Sequence, residues 1–103
     1  MTTEDAMRVV GFLLQFHPTR FALARNSQRV VVPAEAPEAS CWCLLGAILV
    51  VQVRILNQPW SATSSSLLAK TREFLETPSI TALWDEAYPV ERAQIIAKLK
   101  SAA

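Results

Sequence analysis

A stretch of fifteen residues without a charged side chain, residues 39–53, constrains the fold more than any other feature of the sequence. It is too short for a membrane-spanning helix, which needs about 20 apolar residues, and Glu38 and Arg54 close it at either end. Between residues 41 and 51 apolar side chains would point in every direction, as expected of a helix covered on most sides. We therefore predict a central helix over about residues 37–56.

The length and composition of the chain favour one folded unit. With 103 residues the chain can bury one hydrophobic core but not two. A hydrophobic content of 51% excludes disorder. A net charge of +1 provides no strong field to attract nucleic acid or an anionic membrane. We expect a single domain over residues 1–103, without a membrane partner, and the low net charge disfavours a nucleic-acid partner.

The rest of the sequence indicates helices around the central one, and one hairpin. Apolar residues at helical spacing predict four further helices, over residues 3–16, 63–76, 80–86 and 90–101. In the first of these, Phe16 belongs to the predicted apolar face. Residues 21–32 carry two β-prone stretches around a turn at Asn26. The predicted fold is mainly α: a compact helical domain around a central apolar helix, with one small β-hairpin.

The two cysteines, Cys41 and Cys43, lie on either side of Trp42. A disulfide across a single residue would be badly strained, and one histidine with two cysteines cannot supply a structural zinc site. We therefore expect buried, reduced and unreactive thiols, no metal and no cofactor.

The acidic N-terminus differs from the basic start of a secretory signal, which together with reduced thiols indicates a cytoplasmic protein.

Small residues in the central helix suggest a close contact. Gly46 and Ala47 interrupt a run of bulky side chains, and we expect another helix to cross there closely. Trp42 is expected in the core. Trp84 precedes Asp85, whose carboxylate is expected to accept N–H groups from the turn at residues 87–91, or to cap the last helix.

Several of these residues also carry a family resemblance. The motifs are Ala24-Arg25, then Trp42-Cys43 with Gly46-Ala47, and then Trp84-Asp85. Together they resemble a domain-of-unknown-function family of small bacterial and phage proteins, which have an Ala-Arg-Asp hairpin, a Trp-Cys-x-x-Gly-Ala-Leu helix and a Trp-Asn-Asp helix end. The family's hairpin turn usually contains a glycine, which this chain lacks, and the residues after Trp84 are Asp-Glu. The resemblance implies a fold and a phage or mobile-element context, but no reaction.

The chain offers a candidate interface at its basic hairpin. Arg25 and Arg29 lie in the hairpin, and Trp60 follows a proline in the loop after the central helix. Arginine beside an exposed aromatic residue is typical of protein-binding sites. We expect partner binding to depend on these three residues.

The sequence leaves three functions open. The leading hypothesis is a non-enzymatic protein–protein interaction module, which the resemblance extends to a phage or mobile-element inhibitor that binds a host defence component stoichiometrically. Self-association is also possible, given the apolar composition. The alternative is a small enzyme or ligand-binding protein with a pocket near Trp84, Asp85 and Cys43. A weaker alternative is a regulator that contacts nucleic acid through the hairpin arginines.

Overall fold

Helices and a small antiparallel sheet make up the computed structural model, which describes residues 1–61 and 65–103. The prediction of a mainly α fold with a small β element is confirmed. In chain order the elements are α1 (Thr3–Phe16), β1 (Ala24–Arg25), β2 (Val31–Val32), β3 (Cys41–Trp42), α2 (Leu44–Val50), a π-helical turn (Val51–Ile55), α3 (Ser66–Phe74), α4 (Ile80–Asp85) and α5 (Pro89–Lys100).

Helix α1 has the predicted bounds because both of its ends are encoded locally. Thr2 caps the helix: its hydroxyl accepts the N–H of Asp5 at 3.1 Å, and the Asp5 carboxylate accepts the N–H of Thr2 at 3.2 Å. At the other end Pro18 disfavours a helical conformation at His17. Helix α1 packs most extensively against α5, where Gly11 brings the two backbones close.

The hairpin forms without a glycine in its turn. Strand β1 pairs with β2 so that Ala24 is opposite Val32. The Asn26 side chain accepts the N–H groups of Gln28 and Val30, at 2.9 and 3.0 Å. Arg29 adopts a φ of 67°, the left-handed region that glycine usually occupies. The Asn26 side chain therefore holds the turn in the conformation that a glycine would otherwise favour.

The central helix is shorter than predicted. It begins at Leu44 rather than near Pro37, because Cys41 and Trp42 form β3 and pair with β1. Trp42 also pairs with the end of α1: its N–H donates to the His17 carbonyl at 2.8 Å, and its carbonyl accepts the N–H of Thr19 at 2.8 Å. An apolar run suits a buried strand as well as a buried helix. Here the hydrogen bonds to two neighbouring segments favour the strand.

Gly46 makes a close contact, but not with another helix as predicted. A Cβ atom at Gly46 would lie 1.9 Å from the Leu23 carbonyl oxygen, in the segment that leads into β1. That same oxygen accepts the N–H of Cys43 at 3.2 Å. The next residue, Ala47, is fully buried in the core. The first turn of α2 therefore rests directly on the hairpin backbone.

The π-helical turn places a buried amide beneath the following loop. The Gln52 side chain donates to the Pro59 carbonyl at 2.8 Å and accepts the Ser65 hydroxyl. Its backbone carbonyl accepts the N–H of Gln58 at 3.0 Å. Both ends of the loop that leads into α3 are therefore attached to one side chain.

The last three helices lie close to their predicted bounds. Ser65 caps α3, and the predicted start of that helix at residue 63 lies outside the described residues. Ser79 caps α4, as the sequence indicates. Helix α5 begins one residue earlier than predicted, because Pro89 suits the first helical position. None of the helices within residues 1–61 and 65–103 is long and apolar enough to cross a membrane.

We predict that Gly46→Ala lowers the free energy of unfolding by about 3 kcal/mol or more, because the added methyl group collides with backbone rather than with a movable side chain. Gly11→Ala is the matched control. Its Cβ would meet its nearest neighbours at 3.0 Å, so its cost should be smaller by at least about 1 kcal/mol. Urea denaturation of both variants checks this, and equal costs would contradict the close contact at Gly46.

Candidate functional site

Trp84 and Asp85 connect α4 to the segment between α1 and the hairpin. The Trp84 side chain is 1% exposed, and its indole N–H donates to the Thr19 carbonyl at 2.7 Å. The Asp85 carboxylate accepts the N–H of Phe21 at 3.2 Å. Arg20 reaches the carbonyls of Asp85 and Ala87, at 3.4 Å each. Both α4 residues therefore hold the chain at residues 19–21.

The hydrogen bond between Asp85 and Phe21 joins distant parts of the chain, whereas the prediction was a local anchor. The sequence suggested the turn at residues 87–91 or the start of α5. That helix is instead capped by Glu91, whose carboxylate accepts the N–H of Tyr88 at 2.8 Å. Phe21 has a φ of 64°, which is unfavourable for a bulky side chain. The Asp85 carboxylate helps to hold this conformation.

The Cys43 thiol is buried and already hydrogen-bonded. The residue is 4% exposed, and its Sγ accepts the N–H of Gly46 at 3.3 Å as the N-cap of α2. Burial raises the pKa of the Cys43 thiol above its ordinary value of 9.0. His17 is exposed and places its ring edge-on to Trp42, with ring centroids 6.3 Å apart. The thiol is thus held in its neutral form, which is a poor nucleophile.

A cavity of 420 Å³ lies next to Trp84 and Asp85, near the pocket that the alternative hypothesis expected, but Trp84, Asp85 and Cys43 are not among its lining residues. Its walls come from α4, α5 and the end of α3: Leu75, Ala82, Leu83, Glu86, Ala87, Glu91, Gln94, Ile95 and Lys98. No cluster of His, Cys, Asp and Glu side chains suited to a metal ion occurs in the described part of the chain.

The structure brings together two of the three predicted interface residues. The Arg25 guanidinium donates to the Arg29 carbonyl at 3.1 Å, so it helps to close the hairpin turn. The Arg29 side chain is exposed. Trp60 is half-buried and packs against the apolar cluster beneath the sheet, which contains Ala24 and Leu49. Trp60 is therefore an anchor for its own loop, and the dependence of binding on these residues stays a prediction.

The largest departure from the predicted core is on α1. Phe12 and Phe16 are 48% and 68% exposed, although Phe16 was expected on the buried face. They are four residues apart, so they lie on one side of the helix. The opposite side of α1 is buried in the core through Ala6, Met7, Val10 and Leu14. We call Phe12 and Phe16 the phenylalanine ridge.

A shallow groove lies on each side of the phenylalanine ridge. The first, which we call the α5 groove, has a volume of 320 Å³ and is lined by Gln15, Ala93, Ile96, Ala97 and Lys100. The second, which we call the π groove, has a volume of 200 Å³ and is lined by Val9, Leu13, Trp42, Val50, Val51, Arg54 and Ile55. The Ile55 side chain is 51% exposed. The surface across both grooves is therefore mainly apolar, with Lys100 and Arg54 as its charged lining residues.

Sequence reasoning missed this surface although a signal was present. The apolar residues of α1 cover a wider arc than one buried stripe requires, because Val9, Phe12 and Leu13 extend it beyond the core-facing side. A helix that is apolar over more than one face needs a second contact surface. The sequence does not show which part of the arc the rest of the chain covers.

No protein-family model matches the chain, and comparisons with curated proteins and with solved structures find no match either. The resemblance to small bacterial and phage proteins therefore stays a prediction.

We predict that Asp85→Ala lowers the free energy of unfolding by about 1 kcal/mol, because the Phe21 N–H loses its acceptor. Asp85→Asn keeps an oxygen acceptor of the same shape and is the matched control. Its cost should be less than half as large. Thermal or urea denaturation of the pair checks this, and an equally costly Asn variant would show that charge rather than the hydrogen bond is what matters.

We predict that the Cys43 thiol makes stability fall at alkaline pH. The folded protein holds the thiol proton more tightly than the unfolded chain, because burial raises the pKa of Cys43 above 9.0. The thiol's contribution is therefore complete below pH 9 and is lost as the pH rises beyond it. Cys43→Ser keeps an N-cap oxygen and has no thiol to ionise. Denaturation between pH 7 and 10.5 should show a steeper loss for the wild type, and parallel curves would contradict the prediction.

Proposed function

We propose that this protein is a protein-binding module and that the phenylalanine ridge is the centre of its binding surface. The observation that carries the proposal is the exposure of Phe12 and Phe16 on a helix whose opposite face is fixed in the core. Exposed apolar patches on folded proteins mark interaction sites more often than isolated exposed residues do.

The energetics of such a surface favour binding. Burying a phenylalanine side chain contributes about 1.5–3 kcal/mol. Helix α1 is held by its cap and by α5, so little backbone freedom is lost when a partner covers it. Aromatic residues are enriched at the centres of protein interfaces, where polar rims surround them. Two such side chains on one rigid helix therefore supply a binding centre.

Other exposed hydrophobic residues are less suited to this role. Phe21 and Tyr88 lie at turns between elements, and Val31 lies in an edge strand of two residues. Proline follows that strand at position 33 and cannot donate a backbone hydrogen bond to an added strand. Only the phenylalanine ridge, among these exposed residues, combines a regular element with a groove on each side.

The family resemblance extends this proposal to the kind of partner. It suggests a phage or mobile-element protein that inhibits a host defence component by binding it stoichiometrically. Identifying a partner recovered from the native host tests whether it is a defence component. This test is independent of where on the protein the partner binds.

We predict that Phe16→Ser weakens partner binding while the fold persists. Substituting an exposed residue costs little stability, whereas loss of a central aromatic side chain costs about 1–3 kcal/mol of affinity. Val31→Ser is the matched control, since it removes a comparably exposed hydrophobic side chain from the sheet edge.

Each tagged variant is used to capture proteins from the native host, and the recovered partner is then titrated with purified protein. Circular dichroism confirms that the variants are folded. Binding that is unchanged in Phe16→Ser but lost in Val31→Ser would place the interface at the hairpin instead.

A further inference from the structure

We infer that the partner presents an amphipathic helix with acidic side chains beside its apolar stripe, and that this helix crosses α1 over the phenylalanine ridge. This inference rests on the proposed function and adds the shape and charge of the occupant. Two independent observations carry it: the arrangement of ridge and grooves, and the sign of the charges at their edges.

The geometry fits a helix. Packed helices place the side-chain ridges of one into the grooves of the other, commonly at a crossing angle of about 50°. Here α1 presents a ridge of two aromatic side chains one turn apart, with the α5 groove and the π groove on its two sides. A helix that crosses α1 obliquely would place side chains three or four residues apart into one groove and then the other. An extended peptide has side chains on alternate faces and would turn only every second side chain toward the ridge and grooves.

The charges at the two grooves have the same sign. Arg54 and Lys100 are the charged residues that line them, and no carboxylate does. Lys100 lies over the Phe12 ring, with its ammonium nitrogen 5.0 Å from the ring centroid. Arg54 donates to the Glu35 backbone carbonyl, which carries no formal charge. Both cations are therefore without a carboxylate from the groove linings and would attract acidic groups of a partner.

The other cation on the exposed side of α1 is already neutralised. Arg8 forms an ion pair with Asp5 and also donates to the Ala102 carbonyl. The positive character of the surface thus comes from Arg54 in the π groove and from Lys100, which reaches from the α5 groove over the Phe12 ring. A matching helix would carry an apolar stripe for the ridge and grooves, with Asp or Glu on both flanks.

The same charges argue against a second copy of this chain as the occupant. Two copies joined through the phenylalanine ridge, with the two-fold axis along the ridge or perpendicular to it, would bring Arg54 and Lys100 of one copy against the same pair of residues of the other. Like charges opposed at an interface weaken binding. An apolar ridge between two grooves also does not suit nucleic acid, which needs many cationic contacts to phosphates.

The test is a selection from a displayed library of helical peptides of about 18 residues, or five turns, against the full chain. Peptides that also bind Phe16→Ser are removed by counter-selection. We expect the remaining peptides to share apolar residues at helical spacing with Asp or Glu on both flanks. The consensus peptide should lose at least about tenfold in affinity for the Arg54→Glu/Lys100→Glu variant.

The matched control is Lys70→Glu/Lys98→Glu, which makes the same change of net charge at exposed positions outside both grooves. It should bind the consensus peptide nearly as well as the wild type. A peptide with Lys in place of the flanking acidic residues should prefer the Arg54→Glu/Lys100→Glu variant.

The possible failures are distinguishable. Peptides that depend on Phe16 but show no acidic bias would overturn the inference and leave the proposed surface intact. If every selected peptide binds Phe16→Ser as tightly as the wild type, the phenylalanine ridge is not the binding surface and the proposed function is contradicted as well. Sedimentation could instead show that the wild type is a dimer and that the Phe16→Ser variant is a monomer. A second copy of the chain would then be the occupant, and the inference of an acidic helix would be overturned.

Discussion

The rest of the fold depends on the contact between the Leu23 carbonyl and the first turn of α2. That oxygen lies where a side chain at residue 46 would be, and it accepts the N–H of Cys43. Only glycine permits the approach, and the approach fixes the distance between the hairpin and the central helix. Once β1 lies against α2, Cys41 and Trp42 are beside β1 and complete the sheet. The start of α2 is therefore set by a tertiary contact.

This dependence explains which parts of the fold the sequence could predict. The bounds of α1 follow from its own residues, because Thr2 and Asp5 cap one end and Pro18 stops the other. The start of α2 does not, since residues 41 and 42 are equally compatible with a buried helix and a buried strand. The strand is favoured because the Trp42 backbone can then form hydrogen bonds with both His17 and Thr19. These partners lie far from Trp42 in the sequence, so no local pattern predicts the pairing.

The same distinction separates the anchors from the binding surface. Trp84 and Asp85 could be recognised as structural from their residue types, but their partners at residues 19–21 could not. Trp60 follows a proline in a loop, a position that suggests exposure, yet it packs against the core and lies in the loop that Gln52 holds. Phe16 has helical spacing typical of a core residue and is exposed instead. Hydrophobicity along a helix shows that a face needs covering and leaves open what covers it.

Helix α1 is apolar on two faces for two different reasons. Its inner face stabilises the fold through contacts with α2, α3 and α5, and these contacts do not require an aromatic side chain at position 12 or 16. A polar side chain at either position would leave that packing unchanged and would keep the surface better solvated. The exposed parts of the two phenylalanine side chains therefore contribute little to the stability of the folded monomer. Their free energy of burial becomes available only when another molecule covers them, which is the physical basis for assigning binding to this face.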